Sequence, residues 1–329
     1  MADAPTGTRI IDSDAVTELV DHEEAIDAVE AAFQAHATGD AQMPAKSYID
    51  IPEENGDFRS MPAAVGEGAG VKWVNVHPDN PERFGLPTVM GLVVYSDPAS
   101  GYPLAVIDGT NLTRIRTGAA AGVATDHLAR EDAETLGLLG AGQQSHTQLA
   151  AIAAVRDLSE VVVADLDDEA IERFIEAESD RDLTVRGGSP EEVAGCDVIS
   201  TTTPSREPIL REEWVEPGTH INAMGADAEG KQELATDLLL SADVVIDDWE
   251  QCSHSGEINV PTAAGDFERD DVYGLLGDLV DSEQGRPDAE AVTIFDSTGL
   301  AIQDTAVGSV VYEAAVADDV GTVTQIVDQ

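Results

Sequence analysis

The sequence predicts an α/β chain in which a doubly wound parallel sheet follows a smaller α+β domain. Three observations carry that expectation. A glycine-rich turn, Leu136-Gly-Leu-Leu-Gly-Ala-Gly-Gln-Gln-Ser145, joins an apolar strand to a helix near the middle of the chain. Beyond it, short apolar segments alternate with helical ones, the rhythm of parallel strands with helices on both faces. Before it, residues 46–108 hold short strands separated by Gly and Pro, without that rhythm.

In chain order, residues 16–37 read as one amphipathic helix, with Val16, Leu19, Val20, Ile26, Val29 and Phe33 near helical spacing. Strands follow over 46–51, 58–61, 70–76, 88–95 and 103–108, a mostly antiparallel set with one flanking helix. Residues 113–128 form a long helix of small residues, including Gly118-Ala-Ala-Ala-Gly122. The alternating part then runs strand 135–139, helix 143–156, strand 161–165, helix 169–178, and strands 183–186, 197–201, 220–223, 243–247 and 292–296. A helix over 300–317 ends it and returns to the first domain. The expected division is residues 1–122 with a C-terminal helix from about 305–329, and a Rossmann domain over 123–304.

The glycine turn carries the cofactor expectation. Gly140 and Gly142 leave the backbone bare where the helix opens, so a pyrophosphate can reach its N-terminal amides and those near Gln143. Ser145 stands where a third glycine or alanine is usual, and its small side chain fits. The strand ending at Asp165 places an acid about 20 residues on, where a ribose contact is expected. A carboxylate there accepts from a 2′-hydroxyl and repels a 2′-phosphate, so NAD is expected over NADP. Asp167 could do the same work.

Among 329 residues there are 65 acids and 17 bases, a formal net charge of −48, with 42% apolar content. Only Lys46, Lys72 and Lys231 are lysines. The acids are dispersed, which fits a globular protein adapted to a high-salt cytoplasm. At about 1 M salt the Debye length is about 3 Å, and charges this dense stop repelling at long range. The same charge disfavours nucleic acid. Cys196 and Cys252 make neither a disulfide framework nor a zinc site, and His254 with Glu257 has no third partner, so no metal is expected. The polar N-terminus and the lack of a long apolar run point to a cytoplasmic protein with no membrane partner.

Lys72 lies in a strand, Gly70-Val-Lys-Trp-Val-Asn-Val76, and faces opposite to Val71 and Trp73. A lysine kept in so lysine-poor a chain is either a surface cation, a contact for an anionic substrate, or a desolvated acid/base. Arg59 is either a surface cation or a partner for a substrate carboxylate. Arg116 opens the small-residue helix, where the local dipole opposes it, so it needs an anion. Arg114 points to another helix face and reads as structural. Asp227 follows the strand His220-Ile-Asn-Ala223 and is either a loop acid or an acid/base at a ligand-binding strand end. Lys231 follows it. Ser297 or Thr298 either caps the last helix or touches the cofactor. No Ser-His-Asp order or activated cysteine appears, so nucleophilic hydrolysis has no support.

These segments together resemble the ornithine cyclodeaminase/μ-crystallin family. The blocks Arg59-Ser-Met-Pro62, Val71-Lys-Trp-Val-Asn-Val-His-Pro78, Arg116-Thr-Gly-Ala-Ala120, His220-Ile-Asn-Ala-Met-Gly-Ala-Asp227 and Ile294-Phe-Asp-Ser-Thr-Gly-Leu-Ala-Ile-Gln-Asp304 carry the likeness, which spans nearly the whole chain. It implies a catalytic Lys72, a carboxylate-binding Arg116 that also borders the cofactor, and Asp227 near the reacting carbon. It implies nucleotide contacts at Gly142, Gln143, Asp165, Gly225, Ala226, Asp227, Lys231 and Ser297, and a homodimer joined through the substrate domain. Cyclising members carry a carboxylate where this chain has Arg59, while alanine-oxidising members carry arginine. The expected reaction is therefore reversible NAD-dependent deamination of L-alanine to pyruvate and ammonia. Arg59, Lys72 and Arg116 would hold the carboxylate, and either Lys72 or Asp227 would be the base. A lysine between two arginines should have a lowered pKa. The alternatives are an ornithine cyclodeaminase with catalytic NAD, a ketimine reductase, and a nucleotide-binding protein without turnover.

Overall fold

The computed structural model describes residues 7–282 and 284–327. The chain divides into two compact units, one taking the chain up to Arg116 together with everything from Leu300, the other Thr117–Gly299.

The first unit opens with β1 (Thr8–Ile11), α1 (Ser13–Leu19) and α2 (His22–Thr38), then β2 (Ser47–Ile51), β3 (Gly56–Val65), β4 (Gly68–Val76), α3 (Asn80–Phe84), β5 (Val89–Ser96) and β6 (Pro103–Asp108). β2 to β6 form an antiparallel meander, and β1 adds parallel to β6. The single helix expected over 16–37 is in fact two. Val20 is extended, and the Asp21 carboxylate accepts from the Glu23 amide to start a new helix with its own cap. Apolar spacing hides this break, because Val16 in α1 and Ile26, Val29 and Phe33 in α2 are all buried.

α4 (Gly109–Leu128) leads into the second unit. There β7 (Thr135–Leu139), α5 (Gln143–Val155), β8 (Glu160–Ala164), α6 (Asp168–Ala177), β9 (Thr184–Gly187), α7 (Pro190–Ala194) and β10 (Val198–Thr201) come first. Then follow β11 (His220–Ala223), α8 (Thr236–Ser241), β12 (Asp243–Ile246), α9 (Trp249–Ser255), α10 (Asn259–Ala264), β13 (Gly274–Leu275), α11 (Leu276–Ser282) and β14 (Thr293–Asp296). Every strand pair is parallel, in the order β13-β12-β14-β11-β10-β7-β8-β9. β10, β11 and β14 are buried along their whole length, as central strands covered on both faces must be. Strand order reverses between β7 and β10, the switch point beside which ligands bind in such sheets. Helices α7 to α10 were not foreseen, since five to seven residues are too few to establish a helical period.

α12 (Ala301–Ala317) and β15 (Thr322–Thr324) complete the first unit. α12 packs on α2 and on β3 and β4, and β15 pairs with β1 at the sheet edge. Among the described residues no helix is long and apolar enough to cross a membrane.

Candidate active site

In the first unit, strand register decides which way Lys72 faces. Met61 and Val93 stand opposite Lys72, and Arg59 stands opposite Val74, so these five residues share one face of the sheet. Ser60, Trp73 and Leu92 share the other. Lys72 is 2% exposed and Trp73 43%, so the lysine is on the side covered by α12.

The first turn of that helix supplies its partner. Lys72 Nζ donates to Asp304 Oδ1 at 2.8 Å and to Thr113 Oγ1 at 3.2 Å. Arg116 Nε donates to the same Asp304 oxygen at 3.1 Å, and its Nη1 to Gln303 Oε1 at 3.2 Å. Thr113 and Arg116 are three apart on α4 and so face the same way. The Thr113 hydroxyl gives its proton to the Gly109 carbonyl, which leaves a lone pair for the lysine. α4 begins at Gly109, four residues before the expected start, so Arg116 lies inside the helix and not at its opening; the anion it meets is Asp304. Arg114 points elsewhere and donates to Asn111 at 2.7 Å.

Burial lowers the Lys72 pKa to about 7; Asp304 opposes the fall, while Arg116 and Lys46 add to it. The expectation of a lysine between two arginines is corrected on both counts. Desolvation is the main cause, and the second cation is Lys46. Arg59 is held by Asp57, Nε to Oδ1 at 2.7 Å and Nη2 to Oδ2 at 3.0 Å, with its guanidinium 5.6 Å from the Tyr48 ring centre.

Two buried polar atoms here carry no protein hydrogen bond, Asp304 Oδ2 and Gln303 Nε2. A bare acceptor and a bare donor beside buried cations suit a small zwitterion, whose ammonium and carboxylate need both. Sequence reasoning missed Asp304, Gln303, Thr113 and Lys46 as site residues. Lys46 had a signal, since it is one of only three lysines. Asp304 had a weaker one, an acid among small and apolar residues at the head of α12.

In the second unit the glycine turn lies at the end of β7. Gly140 has φ +104°, a conformation glycine adopts freely, and a Cβ there would sit 2.9 Å from Thr202 Oγ1. Gly142 is different. It caps α5 without any side-chain hydrogen bond, and a Cβ there would meet nothing within 4 Å. No side chain caps the start of the helix and the space beside Gly142 is open, as a phosphate site requires. Ser145 is buried and donates to the Gly140 carbonyl at 2.6 Å, so the residue in the third glycine's place ties the turn together.

The two candidate acids have different work. Asp165 accepts from the Ala141 amide at 2.8 Å and the Asp167 amide at 3.0 Å, and is exposed beside the turn. Asp167 caps α6 through the Glu169 amide at 3.0 Å and pairs with Arg173 at 3.3 Å. Asp227 forms an ion pair with Lys231. Ser297 is buried and donates to Asp247 Oδ2 at 2.8 Å, an oxygen that also takes the Thr298 and Gly299 amides. Neither Ser297 nor Thr298 caps α12, whose N-cap is Leu300, a correction to the capping alternative. Gly225 is followed by Ala226, which is buried. Both cysteines are buried, and Cys196 is pushed up to about 12, chiefly by that burial. Among the described residues no group of three or more His, Cys, Asp or Glu is arranged to hold a metal ion.

Known proteins resemble this chain over nearly its whole length. The model of the ornithine cyclodeaminase/mu-crystallin family matches residues 8–319. An alanine dehydrogenase of Archaeoglobus fulgidus is 47% identical over 316 residues, 96% of this chain and 97% of that protein. The solved structure of an archaeal alanine dehydrogenase dimer with bound NAD superposes with a TM-score of 0.94 at 46% identity, covering 98% of this chain and 100% of that one. The Thermococcus litoralis Δ1-pyrroline-2-carboxylate reductase, solved with NADH and L-proline, gives 0.93 at 31% identity, covering 96% and 100%.

Proposed function

We propose that this chain, which belongs to the ornithine cyclodeaminase/mu-crystallin family, is an NAD-dependent alanine dehydrogenase that reversibly converts L-alanine and water to pyruvate and ammonia. The observation that carries this reading is the Lys72–Asp304–Arg116 cluster, with its bare acceptor on Asp304 and bare donor on Gln303. The identity to the A. fulgidus enzyme supports alanine as the substrate.

The second unit's residues fit the dinucleotide. The uncapped amides after Gly142 and the open space above that glycine suit a pyrophosphate, and the exposed Asp165 beside them suits a ribose diol. Gly140, Gln143, Gly225, Ala226, Asp227, Lys231 and Ser297 would complete the contacts. When bound, NAD supplies the hydride acceptor. Arg116 and Lys46 hold the substrate carboxylate, and Asp304 Oδ2 accepts from its ammonium. Lys72 Nζ, largely neutral above about pH 7, takes a proton from that ammonium and frees the nitrogen lone pair as Cα is oxidised. Asp227, paired with Lys231, serves the water that hydrolyses the imine and releases ammonia.

A cyclodeaminase needs a carboxylate to meet the side-chain ammonium of ornithine. On β3 both Asp57 oxygens are already taken by Arg59, and a neutral ion pair offers a second ammonium little attraction. The test is NADH formation from NAD and L-alanine in molar potassium chloride, with L-ornithine and L-proline in parallel and ammonia assayed throughout. NADH from alanine, reversed by pyruvate with ammonium, establishes the dehydrogenase. Ammonia from ornithine without net NADH overturns it in favour of a cyclodeaminase, and NADH from proline alone in favour of an imine reductase.

The same reading includes a homodimer. On the sheet face away from Lys72, Ile49, Trp73 and Leu92 are 51%, 43% and 51% exposed, an apolar surface suited to a second copy. Light scattering in molar potassium chloride gives twice the chain mass if this holds, and Trp73→Glu halves it. The dispersed acids fit an enzyme that works in high salt, so its melting temperature rises with potassium chloride.

A further inference from the structure

The loop after β11 carries Gly225, Ala226 and Asp227, and its anchor is a buried acid that takes its hydrogen bonds from amides and a hydroxyl. Glu233 is fully buried. Its Oε1 accepts from the Thr203 amide at 2.7 Å. Its Oε2 accepts from the Thr201 hydroxyl at 2.6 Å and the Gly225 amide at 3.0 Å. The carboxylate therefore bridges the chain leaving β10 to the chain leaving β11, neighbouring strands whose C-terminal ends lie on the ligand side of the sheet.

The bridge leaves no slack. A Cβ on Gly225 would stand 2.3 Å from Glu233 Oε2 and 2.6 Å from the Thr203 carbonyl, so this glycine is required by the carboxylate beneath it. Glu233 is itself placed from behind, because Glu257 Oε1 accepts from the Glu233 and Leu234 amides at 2.7 and 2.6 Å. Asn259 fixes the middle of the loop through the Gly230 amide and the Lys231 carbonyl. Two further buried acids are close by. Burial and the negative charges of Glu233 and Asp296 push Glu257 well above the usual carboxylate range. Burial raises Glu233 as well, while its bonds from Thr201, Thr203 and Gly225 act against that rise and favour the carboxylate.

We propose that Glu233 is a positioning residue for the dinucleotide, acting through the Gly225–Ala226–Asp227 loop that its carboxylate ties to the end of β10. This rests on the reading that the loop serves NAD. A carboxylate accepts on every lone pair, whereas a glutamine turns one oxygen into a donor that faces another donor. The loop then loses at least one charge-assisted bond.

The experiment measures NADH dissociation constants by fluorescence, melting temperatures of the free protein, and both Michaelis constants, in molar potassium chloride. It compares the wild type, Glu233→Gln, Thr201→Val and Asp227→Asn. Glu233→Gln is expected to weaken NADH about tenfold or more, and Thr201→Val about threefold, from loss of bonds to a charged acceptor. The Michaelis constant for NAD should rise in parallel while that for alanine changes less than about twofold, a split that a general loss of folded protein does not produce. If Glu233→Gln fails to fold, Thr201→Val decides: weaker NADH binding at an unchanged melting temperature supports the proposal, and unchanged binding overturns it. If Asp227→Asn alters NADH binding or turnover while folded Glu233→Gln binds NADH like the wild type, the positioning role falls and the loop reading stands. If Asp227→Asn changes neither, the loop reading falls and takes the proposal with it.

Discussion

In the first unit the candidate site is made of side chains, and in the second it is made largely of backbone. The Lys72 cluster gathers buried charges from β4, α4 and α12, each positioned by another: Lys72 and Arg116 share one Asp304 oxygen, and Thr113 steadies the amine. The nucleotide turn gathers amides and empty space, and its charged member, Asp165, sits exposed beside it. A buried cluster tunes chemistry, because desolvation moves a lysine pKa by several units and neighbouring charges act at low dielectric. An open ring of amides is suited to holding a phosphate without reacting with it. The difference suggests that substitutions in the first region change the rate and its pH dependence, whereas those in the second change affinity.

The largest expected effect tests the first half of that contrast. Lys72→Met should lower turnover about a thousandfold, the range for removing a general base, while NADH affinity stays within about twofold. Turnover near that of the wild type would remove Lys72 from the mechanism. The second half is tested by two glycines that look alike in sequence. Gly142→Ala meets no protein atom, so the melting temperature should hold while NADH weakens about tenfold, the equivalent of about 1.4 kcal/mol. Gly140→Ala forces a side chain onto φ +104° and should cost about 1–3 kcal/mol of stability besides. Equal melting temperatures for the two variants would break the distinction between a glycine kept for shape and one kept for access.

What the sequence made legible follows the same division. The β7–Gly140–α5 unit was readable because backbone geometry leaves a spaced glycine signature, and β6, β7 and β11 were expected at their observed bounds. Lys72 was readable because this chain has nearly abandoned lysine. Lys46 and Lys231 share that signal, and both lie beside site residues, near Lys72 and bonded to Asp227. The buried acids were not readable. Asp304, Glu233 and Glu257 are chemically the most consequential carboxylates in the fold, yet among 65 acids nothing local marks them. Their meaning comes from contacts more than two hundred residues apart in sequence, as between Lys72 and Asp304, or from amides whose direction only the folded loop defines. Burial, the fact that separates them from the solvated majority, is a property of the tertiary structure.

Smaller effects sharpen the first region's electrostatics. Asp304 holds the Lys72 pKa up against desolvation, so Asp304→Asn should let it fall. With the neutral amine as the proposed base, kcat/KM for alanine is expected to rise with pH through about 7 in the wild type and to level off above. Removing the opposing charge moves that limb to lower pH, by about one unit, the usual scale for a close charge partner. A limb that stays in place would mean that another group, Asp227 among them, sets it. The least effect is expected from Asp57→Asn. It breaks the bidentate pair and removes the Asp57 negative charge from beside Arg59 on the Lys72 face of the sheet. If Arg59 then grips the substrate carboxylate, the KM for alanine falls about two- to threefold, as for an added partly exposed ion pair. An unchanged KM would show that Arg59 belongs to the β3 framework and leaves the carboxylate to Arg116 and Lys46. The discrimination against ornithine would then arise from the closed Asp57–Arg59 pair and not from arginine's charge.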